Sequence, residues 1–221
     1  MLASLAVASH PLLCLHGLAA EFAVPLAQVP ALVSDPLAVP VPADVPAADD
    51  AVRARIRDLL RHGGFKPTGR SKPSSEYLLR ALAEDQWPQV NAAVDIANLV
   101  SLRSGVPISV VDLDRVEPPL RIAAAPLGSR FVFNASGQVI DVGGLLGLSD
   151  AQGPCANAVK DAQRSKTDAS TRRVLVLLWG HIDDAARVEA AARWASELLR
   201  ALLPPGGSRV EPVACAPEAG T

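Results

Sequence analysis

The chain has 221 residues, of which 49% are hydrophobic and 20% charged, so it can bury a core and disorder is not expected. A formal net charge of −2 and 4% aromatic residues argue against a globally basic nucleic-acid binder and against a surface of exposed stacking rings. The cysteines are too few and too scattered for a disulfide framework or a zinc site: Cys14, Cys155 and Cys215. We therefore expect reduced thiols, no metal and a cytoplasmic protein.

The first 50 residues predict short strands and a connector. Residues 2–8 and 12–15 are typical of short buried strands, and residues 22–33 of a strand or short helix broken by prolines. No basic residue precedes the first apolar stretch, which argues against a signal peptide, and no run reaches the roughly 18 apolar residues of a membrane span. Prolines between residues 36 and 48 then predict an extended connector.

The rest of the chain mixes predicted helices and strands. Helices are expected from Asp49 or Asp50 to about 62, at about 74–85, from Asn91 to about 104, and from Asp183 or Asp184 to about 203. Strands are expected at 108–111, 120–125, 131–133, 138–142 and 174–179. Because the two kinds of element do not alternate regularly, we predict a single α+β domain over residues 1–207, with mixed β-sheet layers and packed helices. Residues 208–221 are predicted to form a mobile tail.

The positive charge is concentrated in two runs. Residues 1–52 contain no lysine or arginine, whereas residues 53–80 contain eight and residues 160–173 contain five. Such runs can meet a phosphate backbone, or they can be solvated helix faces and loops. The candidate contacts to a nucleic-acid backbone are Arg53, Arg57, Arg61, Lys66, Arg70, Lys72, Arg164 and Lys166.

The predicted helix that begins at Asn91 is the most informative segment. On a helix, Asn91, Asp95 and Asn98 share one face. Short polar side chains are costly to bury unless each is hydrogen-bonded. These residues therefore either line a pocket or form a polar network that ties the helix to neighbouring loops.

Residues 91–114 resemble a known family at this point. The sequence N-A-A-V-D-I-A-N, followed by G-V-P, a short strand and Asp112, is similar to the tRNA-binding and editing domain (the B3/4 domain) of the phenylalanyl-tRNA synthetase beta subunit. The segments at Arg121, Gly128 and Thr171 resemble later strands and turns of that family, and the segments near residues 64 and 74 resemble its free-standing members. The resemblance runs from about residue 10 to about residue 200.

The resemblance implies an α+β domain with a pocket between the sheet and the polar helix. It implies tRNA or aminoacyl-tRNA as the partner, hydrolysis of mischarged tRNA as the activity, and no cofactor. Carried over by position or by the polar face, the candidate pocket residues are Asn91, Asp95, Asn98, Arg103, Pro107, Ser109, Asp112, Arg121 and Leu177.

Two of these positions depart from the synthetase pattern. The synthetase has a histidine where this chain has Ser109, and a glutamate where it has Leu177. The pocket of the synthetase family hydrolyses tRNA mischarged with tyrosine. An apolar Leu177 would leave the tyrosine hydroxyl unpaired, so the resemblance implies a different amino-acid specificity here. Two hypotheses remain open: a tRNA-binding editing hydrolase, and a non-catalytic domain that binds an amino-acid-like ligand, a tRNA or a protein on the same scaffold.

Overall fold

The computed structural model describes residues 4–202 and 209–218. Within these residues the chain forms ten strands and four α-helices. The strands are β1 (Ser4–Val7), β2 (Leu13–Glu21), β3 (Ile108–Asp112), β4 (Arg121–Ala124), β5 (Arg130–Val132), β6 (Val139–Asp141), β7 (Leu146–Asp150), β8 (Gly153–Asn157), β9 (Arg173–His181) and β10 (Arg209–Pro217). The helices are α1 (Asp50–Arg61), α2 (Ser74–Ala83), α3 (Ala92–Ser104) and α4 (Ala185–Ala201).

Eight strands form one mixed sheet in the order β3-β9-β2-β10-β1-β4-β7-β8, and β5 pairs with β6 in a separate ribbon. β1 runs parallel to both of its neighbours, and the other pairs are antiparallel. The sheet curls so that its two end strands meet. The Ser109 hydroxyl of β3 donates to the Asn157 carbonyl of β8 at 3.0 Å. Val111 of β3 also forms an isolated antiparallel backbone bridge with Lys166, which follows β8 in the sequence. The predicted α+β class is confirmed.

Strand β9 is buried on both faces and separates two cores. One face packs with α3 and α4 in an outer core, to which β9 contributes Val174, Val176 and Leu178. The other face lies inside the curled sheet, to which β9 contributes Leu175, Leu177 and Trp179. Burial on both faces explains why this strand is a continuous apolar run in the sequence.

Helix ends follow local signals in the sequence. α1 begins after Asp49, whose carboxylate accepts a hydrogen bond from the Val52 N–H at 2.7 Å. α3 begins after Asn91, whose side-chain oxygen accepts one from the Val94 N–H at 3.1 Å. α3 ends at Gly105, which has φ +76°, and a Cβ there would lie 2.7 Å from a Val52 methyl carbon. Glycine is therefore required at this helix end.

The predicted mobile tail is wrong for residues 209–217, which form β10 between β2 and β1 in the interior of the sheet. Val210 and Val213 are buried there, at 7% and 5% exposure. The sequence does not predict this strand, because it follows a helix-stopping run at 204–207 and contains a proline at 212. Its partner strands are also nearly 200 residues away in sequence. Residues 208 and 219–221 lie outside the described residues.

Other differences concern strands with weak local signals. β2 extends to Glu21, well beyond the predicted residue 15, and residues 22–33 contain only a 3-10 turn, Leu26–Gln28. β7 and β8 were not predicted, because glycines interrupt their apolar pattern. The connector at 36–48 forms no helix or strand and packs on the outer core. None of the helices described is long and apolar enough to cross a membrane.

The packing of β10 gives a stability prediction. Val213→Ala should lower the free energy of unfolding by about 2 kcal/mol, because it removes buried methyl groups next to Gly17 of β2. Glu211→Ala, on the exposed side of the same strand, is the matched control. Chemical denaturation of the two variants measures the difference, and equal stabilities would show that β10 is not part of the core.

Candidate functional site

Ser109 and Leu177 face each other in neighbouring strands, β3 and β9. Both are buried, at 1% and 0% exposure. The Ser109 hydroxyl donates to the Asn157 carbonyl and accepts from the Trp179 indole N–H, both at 3.0 Å. The two positions at which the sequence resemblance leads us to expect histidine and glutamate therefore lie in the core of this chain, where the Ser109 hydroxyl connects β3, β8 and β9.

The titratable side chain of Asp161 lies beside Ser109, and that of Lys166 lies near enough to Asp161 to act on its charge. Part of Asp161 is exposed, but its carboxyl group is enclosed by protein, and burial raises its pKa to about 6 against the opposing effects of Ser109 and of Lys166. Burial lowers the pKa of Lys166, whose Nζ donates to the Phe133 carbonyl at 2.6 Å. We call Ser109, Asp161 and Lys166 the buried cluster. Perturbed pKa values of this kind are typical of functional sites, though ion pairs can also produce them.

A cavity of about 700 Å³ lies next to the buried cluster, between α2 and the loop that follows β8. Phe133 links the two, because it lines the cavity and its ring centre lies 4.3 Å from Lys166 Nζ. We call this space the cationic cavity. Its lining residues are Gly69, Lys72, Ser74, Glu76, Tyr77, Arg80, Phe133, Val159 and Lys160.

The walls of the cationic cavity are tied to β8. The Ser74 N–H donates to the Ala158 carbonyl at 2.9 Å, which joins the start of α2 to the loop after β8. The Asn157 side-chain oxygen accepts from the Val159 and Lys160 N–H groups, both at 2.9 Å. The Asn157 backbone carbonyl also accepts from the Ser109 hydroxyl, so this buried contact supports the wall of the cavity.

The cavity is electropositive and carries two aromatic rings. Its cations are Lys72, Arg80 and Lys160, and Glu76 is its single acidic lining residue. Arg57 holds the Glu76 carboxylate through two hydrogen bonds of 2.6 and 2.7 Å. Lys160 Nζ lies 4.3 Å from the centre of the Phe133 ring, and the Arg80 guanidinium lies 5.7 Å from that of Tyr77. Cations beside exposed ring faces suit a ligand that combines anionic groups with flat rings.

Some of the basic candidates from the sequence come to this cavity. Lys72 lines the cavity. Arg57 donates to the lining residue Glu76, and Lys166 donates to the carbonyl of the lining residue Phe133. The backbone of Arg70 lies in the 3-10 turn Gly69–Ser71 at its edge.

Other basic candidates are held elsewhere. Arg53 and Arg61 pair with carboxylates on α1 itself, at 2.8 and 2.7 Å. Arg164 binds the buried Asp150 carboxylate through two hydrogen bonds of 2.6 and 2.7 Å. Lys66 is exposed in the loop between α1 and α2. These arginines therefore have structural partners.

Asn91 and Asp95 meet at a second cavity, of about 410 Å³, at the start of α3. Asn91 donates to the Thr167 hydroxyl at 3.0 Å, and the Asp95 carboxylate accepts from the Val90 N–H at 2.8 Å. Burial raises the pKa of Asp95, which is 3% exposed. The remaining polar positions of this helix, Asn98 and Arg103, are half-buried.

The other candidate pocket residues hold elements together. The Pro107 carbonyl accepts from the Trp179 N–H at 2.9 Å. The buried Asp112 carboxylate accepts from the Thr171 hydroxyl at 2.6 Å. Arg121 is exposed on β4 and pairs with Glu218. The structure therefore distributes the nine candidates over separate places rather than one pocket.

Sequence reasoning missed five residues at or beside the cationic cavity. These are Tyr77, Arg80, Phe133, Lys160 and Asp161. In the sequence, Tyr77 belongs to the apolar stripe of a helix and Phe133 to a short strand, so only the run of charge at 160–166 signalled a site. Across residues 4–202 and 209–218, no three histidine, cysteine, aspartate or glutamate side chains come together as metal ligands.

This chain is similar to a known domain family and to phenylalanyl-tRNA synthetase beta subunits. The B3/4 domain family model matches residues 66–196. The phenylalanine–tRNA ligase beta subunit of Pseudomonas fluorescens (strain Pf0-1) is 30% identical over 172 residues, which are 74% of this chain and 21% of that protein. The chain thus spans about a fifth of the length of that relative. An N-terminal fragment of the Pyrococcus horikoshii phenylalanyl-tRNA synthetase beta subunit aligns with 57% of this chain and 43% of its own, at a TM-score of 0.46 and 15% identity.

The raised pKa of Asp161 predicts a pH dependence of stability. A folded-state pKa of about 6, above the ordinary value of 3.8, means that the folded protein binds the extra proton. The Asp161 contribution to stability should therefore fall as pH rises from about 4 to about 6. Asp161→Asn should abolish that fall, measured by denaturation at several pH values.

Asp44→Asn is the matched control for this experiment. Asp44 is an exposed carboxylate whose pKa a hydrogen bond from Arg193 lowers, so its removal should leave the fall between pH 4 and 6 in place. A carboxyl titration of Asp161 by NMR with its midpoint at or below the ordinary 3.8 would contradict the prediction.

Proposed function

The chain belongs to the B3/4 domain family, and from that membership and its cationic cavity we propose that it binds tRNA, with the aminoacylated end in this cavity. The observation that carries the proposal is the meeting of three cations and two aromatic rings in one open space between α2 and the loop after β8. The relative from Pseudomonas fluorescens is a subunit of a tRNA ligase, which supports tRNA as the partner.

The size of the cavity suits the end of a strand rather than a duplex. At about 700 Å³ it lies within the range of pockets that enclose small ligands, so it has room for a terminal nucleotide with an attached aminoacyl group. Tyr77 is 52% exposed and offers a ring face to a base. Lys72 and Arg80 would meet the phosphates at the mouth of the cavity.

Hydrolysis of a mischarged aminoacyl-tRNA is the second candidate function. The synthetase histidine and glutamate are absent, so catalysis would depend on a positioned water and on the ribose hydroxyls of the tRNA. Asp161 favours this function, because a carboxyl with a pKa of about 6 beside Ser109 can accept a proton near neutral pH. This role requires a water molecule between Asp161 and the ester. The closed contact of Ser109 with Trp179 and Asn157 favours binding without catalysis.

The binding proposal predicts a steep salt dependence. Uncharged tRNA should shift the protein in a gel at about 50 mM salt and much less at about 200 mM. The double variant Lys72→Ala/Arg80→Ala should weaken binding and lower the slope of log affinity against log salt by about 1 to 2. The matched control is Arg193→Ala, an exposed arginine on α4. Equal slopes for the double variant and the control would place the tRNA elsewhere.

The hydrolysis proposal predicts deacylation in a panel of mischarged tRNAs. The wild-type protein should release at least one amino acid faster than buffer, and Asp161→Asn should slow that release about a hundredfold. The pH profile should rise with an apparent pKa near 6, because the deprotonated carboxylate is the active form. No release above buffer from any tRNA would exclude the hydrolase and leave the binding proposal in place.

A further inference from the structure

The start of α2 lies against the wall of the cationic cavity. Ser74 is the first residue of this helix, Lys72 precedes it by two residues, and both line the cavity. Lys160 lines it from the loop after β8, which Ser74 contacts through the Ala158 carbonyl at 2.9 Å. Two chain segments joined by a backbone hydrogen bond thus bring two lysines and one serine to the lining of one cavity.

The hydroxyl of Ser74 is buried and has no hydrogen-bond partner among the described residues. Native structures rarely leave a buried polar group in this state, so each instance asks for an explanation. Ser74 also lines the cavity, so its unpartnered hydroxyl lies at the wall that a bound ligand would meet. A ligand oxygen in the cavity would then satisfy it.

The charge around Ser74 favours an anion. Arg57 holds the Glu76 carboxylate through two hydrogen bonds, which offset its negative charge. The N-terminal end of α2 adds the positive pole of the helix dipole. The same helix carries Arg80 four residues after Glu76, on the cavity wall.

The donors suit a phosphate better than a carboxylate. A phosphate monoester carries nearly two negative charges and three acceptor oxygens, whereas a carboxylate carries one charge and two oxygens, so two ammonium groups and a hydroxyl suit the phosphate better. Lys72, Ser74 and Lys160 come from two walls, so they can address different oxygens of a tetrahedral group. Resting on the proposed function, we propose that these three residues form a phosphate subsite within the cationic cavity.

Binding of AMP and adenosine, measured by NMR titration, tests the subsite. AMP should bind about tenfold more tightly than adenosine, because charge-assisted hydrogen bonds to the phosphate add affinity. The double variant Lys72→Ala/Lys160→Ala should remove this preference, and Ser74→Ala should reduce it in part. Ser74→Ala should fold normally, because its hydroxyl has no partner to lose. Arg193→Ala should keep the full preference.

The outcomes separate the subsite from the tRNA proposal. Equal binding of AMP and adenosine, binding of neither, or a preference that survives in the double lysine variant would overturn the subsite, even where tRNA still binds. A preference for AMP without any tRNA binding would overturn the proposed function and assign the subsite to a free nucleotide. Displacement of AMP by tRNA would support both and assign the phosphate to the RNA. Thermal unfolding of each variant confirms that it is folded.

Discussion

The burial of β9 on both faces is the constraint on which the rest of the structure depends. This strand pairs with β2 along one edge and with β3 along the other, and its side chains alternate between two separate cores. A charged residue in its centre would be desolvated on every side and would cost several kcal/mol or become neutral. Leu177 meets this constraint, because it is fully buried between Ser109 and Gly17. The position at which the sequence resemblance leads us to expect glutamate is therefore part of the core in this chain.

The same constraint leaves titratable side chains outside the centre of β9. Ser109 is small enough for the Trp179 indole to approach within hydrogen-bond distance, and its hydroxyl then joins β3 to β8 through Asn157. A histidine at this position would displace the indole from the core inside the curled sheet, where Trp179 is fully buried. The titratable groups near this position come instead from the segment after β8, as Asp161 and Lys166. That segment also forms the wall of the cationic cavity, so the core contact and the cavity share one support.

The sequence predicts the elements whose signals are local. Asp49, Asn91 and Gly105 mark helix ends through their own side chains or backbone freedom, and the apolar run of β9 reflects burial on two faces. β10 could not be predicted in this way, because its place depends on β1 and β2 at the other end of the chain. The candidate site residues also divide into those that a local pattern predicts and those that it does not. The helical period places Asn91 and Asp95 together, and the structure brings both to one cavity.

The residues of the cationic cavity follow from the closure of the sheet rather than from any local pattern. Tyr77, Phe133 and Lys160 belong to three segments, and they meet because β8 curls round to β3 and carries its following loop against α2. The structure also explains how a chain of net charge −2 can carry such a site. Most arginines of the two basic runs are engaged by nearby carboxylates, as in the pairs Arg55–Asp184, Arg57–Glu76, Arg61–Asp58, Arg164–Asp150 and Arg173–Asp114. Lys72 and Lys160 line the cavity together with Arg80, so positive potential is focused where a short anionic segment can enter, and few phosphates can be contacted at once.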